Sequence, residues 1–125
     1  MEGGFTFLTD VDRHLWIVLS DPIRDPDRVV IVSITTLAPH KEQTCIVHRG
    51  EHPWVTHDSC VAFRFARIVS STLLVESRYK GLLQLQEPLS AALLTHIRES
   101  SARSTGLPIE VADILIEQGL LDLSE

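Results

Sequence analysis

The segment Val29-Val30-Ile31-Val32-Ser33-Ile34-Thr35 decides the fold class of this chain. Nearly all of its residues are β-branched, and such side chains favour a strand because their restricted rotamers suit a pleated surface. A second apolar run, residues 15–19, comes shortly before it. The Pro- and Asp-rich segment 21–28 between the two runs ends regular structure, since proline fixes φ and aspartate hydrogen-bonds its own backbone. The sequence therefore predicts two buried strands joined by a loop.

The rest of the chain places short strands first and helices afterwards. Three further apolar runs predict strands, at residues 44–47, 59–69 and 81–85. A turn is expected at 50–57, and Ser70-Ser71-Thr72 is a helix-start or turn signal for a short turn through residue 77. Prolines predict helix starts for one helix at about 88–104 and another at about 108–118. Strands without long helices between them indicate a mainly-β fold (all-β or α+β), a small antiparallel barrel with its helices at the end.

The length of 125 residues fits a single domain spanning 1–125. Within this domain, we expect residues 5–107 to form the barrel and first helix, and residues 108–125 to form a C-terminal helical extension. No apolar run approaches the roughly 18 residues that span a bilayer, and the N-terminus lacks the features of a secretory signal. Two cysteines do not make a disulfide framework. We therefore expect a cytoplasmic protein with reduced thiols and no membrane partner.

The charge of the chain is unevenly distributed. The whole sequence has 11 Lys and Arg against 17 Asp and Glu, a formal net charge of −6. Residues 41–86 contain six basic and four acidic side chains, so this middle third alone has a net charge of +2. An acidic total argues against a protein that coats nucleic acid without selectivity, because phosphate binding needs a basic excess. It is compatible with a small basic site in the middle of the chain.

Cysteines and histidines in the middle of the chain have spacings similar to those of zinc sites. Cys45 and His48 are separated by two residues, and so are His57 and Cys60. Positions i and i+3 on a strand point to opposite faces, which argues against a shared metal ion. We therefore expect no metal and no cofactor. The alternative interpretation is that both cysteines are small core residues and that the histidines, with His52, occupy an exposed loop.

Aromatic and basic residues alternate between positions 45 and 67. Such interleaving is typical of single-strand binders, in which aromatic rings stack on bases and arginines neutralise phosphates. Trp54 is the best stacking candidate, because it lies in a predicted loop. The alternatives are that Trp54 folds back over the barrel end and that Phe63 or Phe65 belongs to the core. The residues in question are His48, Arg49, His52, Trp54, Phe63, Arg64, Phe65 and Arg67.

Four segments, in order, resemble the MazF/PemK-like toxins of toxin–antitoxin modules. The first is Arg13-His14-Leu15-Trp16-Ile17-Val18-Leu19-Ser20-Asp21, and the second is Val30-Ile31-Val32-Ser33-Ile34-Thr35-Thr36. The third extends from His57-Asp58-Ser59-Cys60-Val61 to Arg67-Ile68-Val69, and the fourth is Gly81-Leu82-Leu83 with the helix that follows. The similarity spans roughly residues 11–107, and its specificity lies in the order of the motifs.

This resemblance implies a fold and a function. The fold is an SH3-like barrel, and the activity is a metal-independent endoribonuclease that cuts single-stranded RNA. Such a protein is the growth-inhibiting component of a type II toxin–antitoxin module, with a homodimeric state and an antitoxin protein as possible partner. The alternative is a catalytically degenerate MazF-like domain that binds nucleic acid or a protein partner.

The resemblance also assigns candidate site residues. The catalytic threonine of the family matches Thr35, the arginine before proline is replaced by His14, and the family's Asp-Gln pair falls on Arg64-Phe65. His14 can transfer protons near neutral pH, and Thr35 can donate to a phosphate oxygen. The catalytic candidates are His14, Thr35 and Arg13, and the substrate-binding candidates are Arg67, Arg64, Thr36 and Trp54. In the structural alternative, a backbone carbonyl satisfies His14, the threonine closes a strand, and the arginines are solvated.

The C-terminal segment 108–125 extends past the resemblance and contains no basic residue. Val111, Ile114 and Leu115 fall on one helical face, which favours docking on the body or on a second copy of the chain. The alternative is an acidic flap that competes with RNA for the basic middle third. The acidic residues are Glu110, Asp113, Glu117, Asp122 and Glu125.

Overall fold

The structure is a computed structural model that describes residues 1–121. In this part of the chain, the strands are β1 (Thr6–Thr9), β2 (Leu15–Val18), β3 (Val29–Thr36), β4 (Ile46–Val47), β5 (Ser59–Val61), β6 (Arg67–Val69) and β7 (Leu83–Gln86). The α-helices are α1 (Ser71–Tyr79), α2 (Ala91–Ser101) and α3 (Ile109–Glu117). A 3₁₀ turn, Phe63–Phe65, separates β5 from β6.

All strand pairs are antiparallel, and the strand order is β4-β5-β3-β2-β1-β7, with β6 also paired to β3. The long β3 is the centre of the sheet, because one half of it pairs with β5 and the other half with β6. The predicted mainly-β fold with late helices is confirmed. Within residues 1–121 the sheet ends at β4 and β7 without closing on itself, so the barrel is incomplete.

The predicted continuous strand at 59–69 is wrong, because the 3₁₀ turn divides it. Ile34 pairs with Val61, and an unbroken register would then pair Ile31 with Arg64. Ile31 instead pairs with Arg67, so the turn absorbs three residues. Burial explains the interruption, since Phe63 is completely buried in the main core. The turn inserts this ring and lets the chain cross from one half of β3 to the other.

Two helices, α1 and α2, differ from what the sequence predicts. A full helix, α1, occupies the region expected to be a short turn, and the Ser70 hydroxyl caps it by accepting from the Leu73 N–H at 3.1 Å. The first late helix is shorter than predicted because Ser90, two residues after Pro88, is its N-cap. The prediction of α3 at about 108–118 is confirmed. The sequence does not predict β1.

Two apolar clusters lie on opposite faces of the sheet. The main cluster joins one face of β2 and β3, including Leu15 and Ile34, to α2 and α3. The second cluster contains Trp16 and Val18 from the other face, covered by Leu74 of α1 and by β7. The alternation of strand side chains accounts for this division. The sheet is consequently covered on both faces, and its exposed chemistry lies at strand ends and in loops.

The acidic helix α3 docks on the body of the protein. Its apolar face, including Ile114 and Leu115, is buried in the main cluster. Gln118 adds polar anchors, since its side-chain oxygen accepts from the Asp21 N–H at 2.7 Å and its carbonyl accepts from Arg24 at 2.6 Å. These contacts match the docking interpretation rather than an acidic flap over the basic middle third. Asp122 and Glu125 lie outside the described residues.

The helices between residues 1 and 121 are all too short or too polar to cross a bilayer.

Candidate functional site

His14 and Thr35 lie opposite each other where β2 begins and β3 approaches its end. Leu15 pairs with Ile34, and continuing this antiparallel register by one residue places His14 across from Thr35. Residues directly opposite each other in such a pair share a face of the sheet. His14 is exposed and Thr35 is half-buried. The structure therefore brings together two of the three predicted catalytic residues.

A third residue, Lys41, completes this group. Its ammonium donates to the Thr35 hydroxyl oxygen at 2.7 Å and to the Thr36 carbonyl at 2.9 Å. A threonine hydroxyl that accepts a hydrogen bond keeps its own proton to donate. The Thr35 hydroxyl can thus serve as a donor polarised by a positive charge. Sequence reasoning missed Lys41, although this residue belongs to the basic middle third.

Arg67 lies further along the same face of the sheet. It pairs with Ile31, which shares its face with Thr35 at a distance of about 13 Å along the strand. The Arg67 guanidinium lies over the Trp16 ring, 5.1 Å from its centroid. Since Trp16 pairs with Ser33, this arrangement brings the guanidinium towards the middle of β3. A row of side chains results, called here the strip: His14, Trp16, Thr35, Lys41 and Arg67.

Asp12 holds one end of the strip in place. Its carboxylate accepts from the backbone N–H of His14 at 3.1 Å and from the indole N–H of Trp16 at 3.3 Å. These bonds tie the loop between β1 and β2 to the start of β2. Sequence reasoning missed this residue as well, because an aspartate in a loop has no distinctive spacing.

Three of the four substrate-binding candidates do not join the strip: Arg64, Thr36 and Trp54. Arg64 lies in the 3₁₀ turn, where its guanidinium is 5.4 Å from the exposed Phe65 ring and its backbone packs beside Gly106. Thr36 pairs with Ser59, and alternation directs its side chain away from the face of Thr35.

Arg13 and Trp54 meet elsewhere, in a depression of about 360 Å³ beside the loop between β1 and β2. Trp54 also packs against the main cluster, so it has both a structural contact and an accessible position. Neither this depression nor a larger groove of about 470 Å³ near α1 is lined by His14, Thr35 or Arg67. On the strip itself, His14 and Arg67 are exposed, Thr35 and Lys41 are half-buried, and Trp16 is buried beneath Arg67.

His52 is buried, with 3% of its surface exposed, so the expectation of an exposed loop position is wrong for this residue. Its Nδ1 accepts from the Trp54 N–H at 3.0 Å, which leaves Nε2 to donate to the Glu87 carbonyl at 2.5 Å. The Thr6 hydroxyl donates to the same carbonyl at 2.6 Å. His52 thus fastens the loop that carries Trp54 to the connection between β7 and α2.

The two cysteines occupy core positions. Cys45 and Cys60 are buried free thiols, and desolvation raises the pKa of each above its ordinary value. His48 lies 3.6 Å from the Asp58 carboxylate, whose pKa is lowered chiefly by the hydrogen bond from the Arg49 backbone. Among residues 1–121, no group of three or more His, Cys, Asp or Glu side chains could hold a metal ion.

Comparison with known proteins gives no match, whether by family model, by curated sequence or by solved structure. A functional proposal for this chain therefore depends on the chemistry of the strip and on the motif resemblance.

Proposed function

We propose that the protein is a metal-independent endoribonuclease that cuts single-stranded RNA on the strip. The observation that supports this proposal best is the arrangement at Thr35, where an ammonium contacts the hydroxyl and His14 lies across the strand pair. One proton-transfer group and one charged hydrogen-bond donor are the two components that phosphodiester cleavage through a ribose hydroxyl requires.

The reaction divides among the residues of the strip as follows. Neutral His14 accepts the proton of the ribose 2′-hydroxyl while that oxygen forms a bond to the adjacent phosphorus. Thr35 and Lys41 donate to the non-bridging oxygens, where negative charge develops. The bond to the 5′-oxygen breaks, and that oxygen takes a proton from protonated His14 or from water. The products are a 2′,3′-cyclic phosphate and a free 5′-hydroxyl, with no oxidant, reductant or metal required.

Arg67 extends the same surface towards a neighbouring nucleotide. Its exposed guanidinium can neutralise a second phosphate, and the Trp16 ring beneath it limits its freedom of movement. We assign it substrate binding. Arg64 lies off the strip, which leaves it outside the proposed reaction.

The motif resemblance supports a cellular role as the growth-inhibiting toxin of a toxin–antitoxin module, in the cytoplasm, as a homodimer and with an antitoxin as partner. Inducible expression tests this role. The wild-type chain is expected to arrest growth, and His14→Ala is expected to abolish the arrest. His96→Ala changes an exposed histidine on α2 and is the matched control.

Cleavage itself is tested with purified protein and an end-labelled single-stranded RNA in the presence of EDTA. We expect fragments that end in a cyclic phosphate. We expect cleavage to slow at least about 100-fold in His14→Ala, the usual range for losing a general acid–base group. RNA that stays intact with the wild-type protein, across varied sequences, would overturn the proposal.

A second candidate is a catalytically degenerate domain that binds RNA without cutting it. The exposure of His14 favours this candidate, because cleavage sites usually exclude water from the reacting groups. It predicts RNA binding that depends on Lys41 and Arg67, no fragments, and no growth arrest.

A further inference from the structure

The depression that contains Arg13 and Trp54 has features that the proposed reaction does not use. Its wall combines the Trp54 indole with Thr9, Asp10, Arg13 and Gln84, from the end of β1, the loop after it, and β7. Its volume of about 360 Å³ lies within the range of small-molecule sites. We propose that this depression is the recognition pocket for a single unpaired guanine base. The inference rests on the proposed RNA-directed function, because it names the base that the site selects.

Trp54 provides a stacking surface that is held in place. It is half-buried against the main cluster, and its backbone N–H donates to buried His52, which is bonded in turn to the Glu87 carbonyl. A positioned aromatic ring stacks on any base, because every base has a π-face. Stacking therefore explains why a base binds here, and the polar groups must explain which one.

The polar groups of the depression are unpaired and of both signs. Asp10 and Arg13 have neither an ion pair nor a side-chain hydrogen bond to any part of the described chain, residues 1–121. The buried Thr9 hydroxyl also lacks a partner there. Asp12, by contrast, is already engaged by His14 and Trp16. The depression thus offers one free carboxylate and one free guanidinium beside an aromatic ring.

Guanine is the base that uses both charges. Its N1–H and exocyclic amino group form a pair of donors for a carboxylate, while O6 and N7 form a pair of acceptors for a guanidinium. Adenine lacks the paired donors, and the pyrimidines lack the second acceptor pair. Asp10 and Arg13 therefore complement two edges of one guanine, and one good bidentate contact discriminates by about tenfold or more.

The pocket and the strip meet at the start of β2 from opposite faces of the sheet. Arg13 lines the depression and His14 follows it directly in the chain. Leu8 and Trp54 of the depression pack with the main cluster, whereas Trp16 of the strip belongs to the second cluster. The pocket therefore selects a base, and the strip acts on a phosphate elsewhere along the bound strand.

The test uses 2′-O-methyl uridine hexamers, which cannot be cut because they lack a free 2′-hydroxyl. One hexamer carries a central guanine, and the others carry adenine, cytosine or inosine at that position. Binding is followed by tryptophan fluorescence and by competition. We expect guanine to bind about tenfold more tightly than adenine, and inosine, which lacks the exocyclic amino group, to fall between them.

Variants separate the contribution of the polar groups from that of the stacking ring. Asp10→Asn is expected to reduce the preference for guanine over adenine to less than about threefold, while Asp27→Asn, in an exposed loop, leaves it unchanged. Trp54→Phe keeps a stacking ring and is expected to keep the preference, measured by competition, while losing the part of the fluorescence change that comes from Trp54; Trp16 remains. Circular dichroism checks that each variant is folded.

The failures of this inference and of the proposed function are distinguishable. Equal binding of the four hexamers, or an unchanged preference in Asp10→Asn, overturns the guanine pocket even if RNA is cut. A guanine preference that depends on Asp10, found in a protein that cuts no RNA, overturns the nuclease and supports the pocket.

Discussion

The ammonium of Lys41 lies 2.7 Å from the hydroxyl oxygen of Thr35. This contact brings the loop after β3 back onto the strand from which it came, and it places a positive charge beside the residue opposite His14. The motif resemblance includes the threonine and contains no sign of the lysine. The pair is the feature on which the proposed chemistry depends most directly.

Replacing Lys41 tests that dependence. Lys41→Met keeps much of the aliphatic stem and removes the charge, so we expect RNA cleavage to slow by about 100-fold or more, as when a transition-state donor is lost. The bond from Lys41 to Thr35 is half-buried, so we also expect the free energy of unfolding to fall by about 1–3 kcal/mol, and cleavage is compared where circular dichroism shows both proteins folded. Lys80→Met, at the C-terminal end of α1, is the matched control. Unchanged cleavage by Lys41→Met would remove the lysine from the mechanism.

Removing the buried imidazole of His52 should weaken the fold. His52→Ala leaves the Trp54 N–H and the Glu87 carbonyl without this partner, and we expect the free energy of unfolding to fall by about 2–3 kcal/mol. Urea denaturation measures the change. The exposed His57 is the control, with a change of less than about 0.5 kcal/mol for His57→Ala. Equal effects at the two positions would contradict the bridging role.

The docking of α3 can be tested with two neighbouring residues. Leu115 is completely buried, whereas Ile116 is 43% exposed. Leu115→Ala is therefore expected to lower the unfolding free energy by about 2–5 kcal/mol, and Ile116→Ala by less than about 1 kcal/mol. A helix that left the body would make the two substitutions equivalent, which thermal denaturation would reveal.

Alkaline pH should destabilise the protein through its thiols. Burial raises the pKa of Cys45 and Cys60 above the ordinary thiol value of about 8.5. The native state therefore retains protons that the unfolded state releases, and stability present below that value is lost as the pH rises through and beyond it. Denaturation measured between pH 7 and pH 10 should show this fall, and the Cys45→Ala/Cys60→Ala variant should show a shallower one. Parallel curves for the two proteins would contradict thiol linkage.

Residue patterns account for much of the fold. The β-branched run of β3 and the apolar run of β2 predict their strands because these side chains favour an extended, buried backbone. Val111, Ile114 and Leu115 predict α3 by their helical spacing. The helix α1 escapes prediction because the only buried side chain within it is Leu74, so its apolar periodicity is weak.

The candidate site is less predictable, because its members come from different parts of the chain. The resemblance selects His14, Thr35 and Arg67, and the strand pairings place these three on one face. It also selects Arg64, which a continuous strand would have paired with Ile31. The burial of Phe63 shifts that register by three residues, so that Arg67 instead of Arg64 pairs with Ile31.

The sequence by itself determined the strand-rich class, the late helices and the local net charge of the middle third. Each of these follows from residue type and spacing within one short segment. The tertiary structure alone decided that Lys41 meets Thr35, that Asp12 holds the start of β2, and that Trp54 faces the same depression as Arg13. Such contacts depend on register and on how loops fold back, and both are set by burying the whole core at once.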